Sequence, residues 1–388
     1  MAISLLVNNM NTVDFNEIFT PQKFHKLKEL SHLIDIENTE SYEKTIKSNK
    51  TVKPNENFWK GKRVIITGSA GMVGSTIADF LIEMGAEVHG TVKRHAVNYY
   101  PNIQHNIETG KLKTLEVDLR DYGRVVNLIT EIEPHAIFHQ AAESFVPTSI
   151  QQPSHVVENN CVSTVNILEA ATKFDKSLEG IQLACSSEQY GFLQKIEELP
   201  VKETNELRPT STYAVTKVFS EYLAKAYYYM YKTPTVITRT FNQEGPRRGP
   251  QFFTSRVAIQ VAKCLKDNSK EIVIGNPNSV RDFTHVHDSA KAQILSVEKC
   301  NKGDVYNICS GKGILIGDYV KLALKVFNLE KNVKIVIDKS FLRPYERGES
   351  LIDGFIGDNS KFVEKTGWRP TKTIIDIIKD GVEYTKSN

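Results

Sequence analysis

The chain has 388 residues, 40% of them hydrophobic and 9% aromatic, enough for one large domain or two ordinary ones with a packed core, which excludes a disordered protein. Its 49 basic and 46 acidic residues leave a formal charge of +3, too balanced for a field that recruits nucleic acid or a membrane surface. The five scattered cysteines include no CxxC pair, the start MAISLLVNNMN lacks a basic n-region, and no apolar run approaches ~20 residues, which argues against a disulfide framework, a thiolate metal site, a secretory signal and a membrane span and predicts a reducing, cytoplasmic setting.

Residues 1–59 read apart from the rest. Thr20-Pro21 supplies an N-cap and a proline at the first helical position, and Phe24, Leu27, Leu30 and Ile34 recur at helical spacing. They predict an amphipathic helix followed by a polar stretch, an appendage that packs on the body of the chain or on a sister subunit. From Lys60 onward, strands alternate with helices, the signature of a parallel sheet covered on both faces. RVIIT is a buried strand, and Val73, Ile77, Phe80, Leu81 and Met84 form a helical stripe that stops at Gly85. AEVHGTVK, LKTLEVD, HAIFHQAA, IQLACSS and TPTVITRTF continue the strands, with helical stretches at 121–133, 155–174 and 211–231. The expected fold class is α/β: a Rossmann-type doubly wound parallel sheet over residues 60–243, then a smaller C-terminal substrate-binding lobe over 244–388 that returns some chain to the sheet. A ligand belongs in the cleft between them.

The turn TGSAGMVG joins the first strand to its helix. Gly68 permits the tight turn, Gly71 lets backbone amides approach a pyrophosphate, and Gly74 lets helix and sheet come close, while Met72 and Val73 open a helix whose N-terminus favours negative charge. The second strand ends at Lys93 and Arg94, where an NAD site usually offers an acid to the ribose hydroxyls. Basic residues there suit a 2′-phosphate, so NADP is expected and NAD is the alternative. Asp118, followed by Leu119, is expected beside the adenine or as the N-cap of the next helix. Tyr213 and Lys217 stand four apart on one helical face. A phenol titrates near ~10, and an adjacent ammonium lowers that value, so the pair is suited to move a hydroxyl proton while hydride passes to or from nicotinamide. In ACSSEQYG, Ser186 and Ser187 precede Glu188 at a strand end, where a buried carboxylate needs a partner or a proton to move. His285 and His287 follow strand-end alternation with no third ligand nearby, so no metal is expected, and Cys185 is expected to be a small buried filler.

Together, TGSAGMVG, HQAAES, ACSSEQYG, YAVTK, FNQEGPRRG, VRDFTHVHD, RPYE and GDNSKFVEKTGWRP resemble the extended short-chain dehydrogenase/reductase family of nucleotide-sugar enzymes, over about residues 60–388. FNQEGPRRG and RPYE are most similar to its GDP-mannose 4,6-dehydratases. That resemblance implies a lyase in which Tyr213, supported by Lys217, takes the O4 proton as hydride leaves C4. Glu188 then removes the C5 hydrogen, Ser186 helps the 6-hydroxyl depart, and the stored hydride returns to C6. It also implies cofactor contacts from the glycine turn, Lys93, Arg94, Asp118, Leu119, Ala141, Ala142, Tyr213 and Lys217. Substrate contacts are implied for Ser144, Asn242, Arg256, Arg281, Arg343 and Glu346, with guanidinium forks on the diphosphate; an ion pair with Asp282 or Asp288 is the structural alternative for Arg281. The expected partners are a GDP-sugar and further copies of the chain as homodimer or homotetramer, with Arg247 and Arg248 as candidate interface residues. Two departures stand out: Ser186 occupies a position where threonine is usual, and Gln243 one where histidine is usual. A 4-epimerase, reductase or decarboxylase of the same family is the nearest alternative activity, and a non-catalytic nucleotide-binding scaffold is a more distant one.

Overall fold

The computed structural model describes residues 32–93, 99–174, 177–342 and 354–387. Arg94, Arg343, Glu346 and most of the expected N-terminal helix lie outside the described residues.

Two short helices, α1 (Thr39–Lys47) and α2 (Glu56–Trp59), lead into strand β1 (Arg63–Thr67). The chain then alternates through α3 (Met72–Glu83), β2 (Glu87–Val92), β3 (Leu112–Glu116), α4 (Tyr122–Ile132), β4 (Ala136–His139), α5 (Ser163–Phe174), β5 (Gly180–Ser186), α6 (Thr212–Tyr231) and β6 (Thr235–Thr240). The second half contains β7 (Asn242–Glu244), α7 (Phe253–Asp267), β8 (Glu271–Ile274), β9 (Val280–His285) and α8 (Val286–Lys299). It closes with β10 (Val305–Ile308), β11 (Gly313–Leu315), α9 (Ile316–Val326), β12 (Lys334–Ile337), β13 (Gly354–Phe355) and α10 (Ile374–Ser387).

Seven parallel strands form the main sheet in the order β3-β2-β1-β4-β5-β6-β10. This is the expected Rossmann-type, doubly wound α/β fold, and its sequence cause is visible in β1. Both faces of a parallel sheet are covered, so its strands read as continuous apolar runs. Ile65 points into one core with Ile129, Ile167, Ile181 and Ile237. Its neighbours Val64 and Ile66 point into the other, with Ile77, Leu81, Phe138 and Ile294. Strand order reverses at β1 and β4, which opens a crevice at their carboxyl ends.

Over that crevice sits a smaller assembly in which β9 pairs with β7, β11 and β13, and β8 pairs with β12. α7, α9 and α10 surround its core through Val261, Val320 and Ile378. α8 and β10 return to the main sheet, with Ile294 in the Rossmann core and β10 against β6. The N-terminal segment from residue 32 is laid along the body: the Ile34 amide donates to Gly313 O at 2.8 Å. Trp59 is fully buried against Phe138, and its indole donates to Glu298 at 2.6 Å.

Candidate active site

A cleft of about 670 Å³ runs along the carboxyl ends of the sheet and under the smaller assembly, within the size range of small-molecule sites. At one end lies the glycine turn. Gly68 has φ +67°, and a Cβ on it would come within 2.9 Å of Ala141 Cα. A Cβ on Gly74 would stand 2.5 Å from Gly68 O, so only glycine lets α3 start this close to the strand. No side chain caps α3, and Gly71, Met72 and Val73 face the cleft. An uncapped helix N-terminus behind a glycine cradle fits a dinucleotide pyrophosphate.

Leu119, Ala141 and Ala142 line the same end with Lys93 and Asp118. The Lys93 ammonium donates to Asn159 Oδ1 at 2.7 Å. Asp118 is not the helix cap, since Asp121 accepts from Arg124 N at 3.1 Å in that role. Instead Asp118 accepts from the Arg120 guanidinium at 2.6 Å, a hydrogen bond that holds its carboxyl down at about 2. Arg120 and Asn159 both line the cleft, and sequence reasoning passed over them. For Arg120 the signal was its place two residues after Asp118; Asn159 carried none.

The middle of the cleft gathers Ser186, Glu188, Tyr213 and Lys217. β5 ends at Ser186, and residues Ser187–Tyr190 form one 3₁₀ turn. The Ser186 hydroxyl accepts from the Glu188 amide at 3.2 Å, and Gln189 Oε1 accepts from the Ser186 amide at 3.1 Å, a reciprocal cap on the turn. Ser211 caps α6 by accepting from Ala214 N at 3.1 Å, which starts the helix one residue before Tyr213. Lys217 Nζ donates to Ala184 O at 2.6 Å and lies 5.8 Å from the centre of the Tyr213 ring. Burial pushes the Tyr213 phenol up to about 12, opposed by a hydrogen bond with Ser186, and burial lowers the Lys217 ammonium. His139, buried nearby, is hydrogen-bonded with Thr67 at 2.9 Å, and burial followed by the charge of Lys217 pushes its imidazole down to about 3. Cys185 is buried and its thiol is pushed up to about 12 by desolvation, the chemistry of an inert filler.

Ser144, Asn242, Arg256 and Arg281 line the remaining end. Arg281 projects from β9 and donates to Val280 O at 2.8 Å. Asp282 accepts from Ser310 N at 2.9 Å and Gly311 N at 3.0 Å, and Asp288 accepts from the amides of Thr371 and Lys372, each at 2.7 Å. The Arg256 guanidinium lies 3.9 Å over the Phe341 ring. Arg247 pairs with Asp79 of α3 at 2.6 Å, and Arg248 reaches Glu244 at 3.1 Å inside the cleft, so both are engaged within the chain. Gln243 Oε1 accepts from Ser289 at 2.6 Å and Gln293 at 2.8 Å. His285 is occupied by Asp380 at 3.1 Å, and His287 by an edge contact with Phe80. Among the described residues no group of three or more His, Cys, Asp or Glu gathers where a metal ion could be held.

The family model described as GDP-mannose 4,6 dehydratase matches residues 65–381. The GDP-mannose 4,6-dehydratase of Yersinia enterocolitica is 27% identical over 362 residues, covering 83% of this chain and 93% of its own. The human GDP-mannose 4,6 dehydratase is 29% identical over 344 residues, covering 82% and 90%. Among solved structures, the UDP-glucuronic acid 4-epimerase of Bacillus cereus, in complex with UDP-glucuronic acid and NAD, superposes with a TM-score of 0.71 at 25% identity, covering 84% of this chain and 99% of that one.

Proposed function

Because the chain belongs to the GDP-mannose 4,6-dehydratase family, we propose that it is an NADP-dependent lyase that converts GDP-mannose, or a close GDP-sugar, into the 4-keto-6-deoxy sugar. One observation carries the reading: two proton-transfer pairs, Ser186 with Glu188 and Tyr213 with Lys217, face one cleft whose far end is a glycine cradle.

A nicotinamide cofactor held by the glycine turn, Lys93, Asp118, Tyr213 and Lys217 would supply reversible hydride exchange with the sugar. The protein's side chains do the rest. Tyr213 accepts the O4 proton; burial holds its phenol up at about 12 even with Lys217 in place, so further positive charge, such as that of an oxidised cofactor, would be needed to bring it toward working range. The resulting 4-ketone acidifies C5, and Glu188 takes that proton. Ser186, whose hydroxyl opposes the rise of the Tyr213 phenol, donates toward the departing 6-hydroxyl. Asn242, Arg256 and Arg281 hold the diphosphate, with Ser144 also on the substrate, Arg343 on the diphosphate or ribose and Glu346 on the nucleoside hydroxyls. Among the described residues Lys93 and Arg120 are the cations at the adenosine end, which favours NADP; the epimerase's NAD makes NAD the alternative.

The reading includes a cytoplasmic, self-associating enzyme. The five cysteines are free, and α6 turns Val215, Phe219 and Tyr222 to solvent beside Ile150 and Val157, an apolar stripe suited to a second copy.

The test is mass spectrometry of products from GDP-, UDP-, CDP- and dTDP-sugars. GDP-mannose should lose one water with no net cofactor consumption. Glu188→Gln should slow that loss at least ~100-fold while nucleotide affinity stays unchanged, as expected for a lost acid–base group. Elimination at the original rate would mean that Glu188 is not the C5 base.

A further inference from the structure

Tyr213, Lys217 and Glu221 follow at four-residue steps and so share one face of α6. The first two have roles above; Glu221 has none. It is fully buried, and an ionised carboxylate at that depth costs several kcal/mol, to order of magnitude, unless paired. Arg239 of β6 forks onto it, with Nη2 2.6 Å from Oε1 and Nε 2.8 Å from Oε2, and Lys225 adds a contact at 2.6 Å. These charges hold the Glu221 carboxyl below its usual range despite burial.

Glu221 Oε2 also accepts from Gln189 Nε2 at 2.8 Å. Gln189 is itself fully buried, and its Oε1 accepts the Ser186 amide at 3.1 Å. One amide side chain thus spans from the helix of Tyr213 and Lys217 to the turn of Ser186 and Glu188. Arg239 steadies the far end of the same turn by donating to the Tyr190 hydroxyl at 2.9 Å. With Lys217 on Ala184 O, α6 grips the end of β5 at two points.

We propose that Gln189 and Glu221 are positioning residues that keep Ser186 and Glu188 in register with Tyr213 and Lys217. The inference rests on the roles proposed for those four residues. A short 3₁₀ turn has weak internal hydrogen bonds, while reacting groups must be held within ~0.5 Å of productive geometry. The tether supplies that precision from a dry, charge-anchored point. It does not touch the glycine cradle, and α6 keeps Lys217 on Ala184 O and Glu221 on Arg239 without it, so its loss falls on elimination at C5 and spares oxidation at C4.

The experiment replaces Gln189 by Met, which keeps the length, removes both hydrogen bonds and leaves the Arg239–Glu221 fork intact. In single turnovers, solvent-deuterium uptake at C5 should fall ~100-fold, the usual cost of a small misplacement. Reduced-cofactor absorbance should still rise at the original rate, and KM should stay within ~2-fold, the split expected when ground-state binding is untouched. Amide hydrogen exchange should quicken in residues 186–191 and not in α6. Gln189→Asn, one methylene too short to span the gap, should show the same selective loss and replaces the Met variant if that one does not fold. Oxidation and C5 exchange falling by one common factor would overturn the proposal, as would wild-type elimination with unchanged amide exchange at 186–191. If the unmodified protein turns over no nucleotide sugar, the proposed function fails on its own, and the amide-exchange comparison still decides the tether: quickened exchange upholds it and unchanged exchange overturns it.

Discussion

His139 stands near the Tyr213–Lys217 pair as a neutral imidazole, and its neutrality has a measurable cost at low pH. Burial lowers its folded-state value to about 3, against ~6.5 in an unfolded chain. Between those values the unfolded chain binds the extra proton. The contribution to stability is therefore complete above pH ~6.5 and is lost as pH falls toward 3, with a slope of about 1.4 kcal/mol per pH unit. Urea unfolding between pH 7 and 5 should show that slope as the difference between the wild-type chain and His139→Gln, since partly buried His287, whose value is pushed down to about 4, adds its own to both; parallel curves would show that His139 charges without penalty. At this scale the sequence was most informative where one residue type has one physical use. Gly68 and Gly74 could be read from their spacing, because the turn accepts nothing larger. Gln189 and Glu221 could not, because their meaning lies in a contact across 32 positions. Arg281 could be read either as an ion-pair partner or as a cleft residue, and the structure adds that its side chain lines the cleft.

The glycine turn and α3 act as one element. A Cβ at position 74 would stand 2.5 Å from a backbone oxygen that has no room to yield. Gly74→Ala should therefore cost ~1–3 kcal/mol of stability, the usual range for overpacking. It should also weaken cofactor binding by at least ~10-fold, because the helix must move off the strand that aims its amides. Calorimetric titration with NADP checks this, and an unchanged affinity would contradict the cradle. Periodicity marked β1, α3 and α6 clearly, since each carries an apolar pattern set by one or two buried faces. It was silent on the second half, where β7, β11 and β13 have two or three residues each. Strands that short carry no period, and their pairing with β9 is fixed by long-range contact alone.

The whole molecule joins its halves by threading. The segment ending at Trp59 enters the Rossmann core, and Ile34 enters the core of the smaller assembly. The apolar spacing that includes Ile34 suggests packing on the body of the chain, but nothing local announces the site of Trp59, because a lone buried tryptophan looks like any other until its pocket is known. Tyr213 and Lys217 lie on the buried side of α6 while Val215 and Tyr222 are 51% and 60% exposed on the other, so the proposed function gives this helix a part in both catalysis and assembly. Phe219→Glu should convert an associated species to a monomer, read by light scattering during gel filtration; an unchanged mass would move the interface elsewhere. The central claim is internal hydride transfer, and isotopic labelling reaches it most directly. GDP-mannose carrying deuterium at C4, incubated with the protein and cofactor and followed by NMR, should give a 4-keto sugar with the label at C6. Label returned to C4 in an inverted sugar, or product formed without label at C6, would contradict the account.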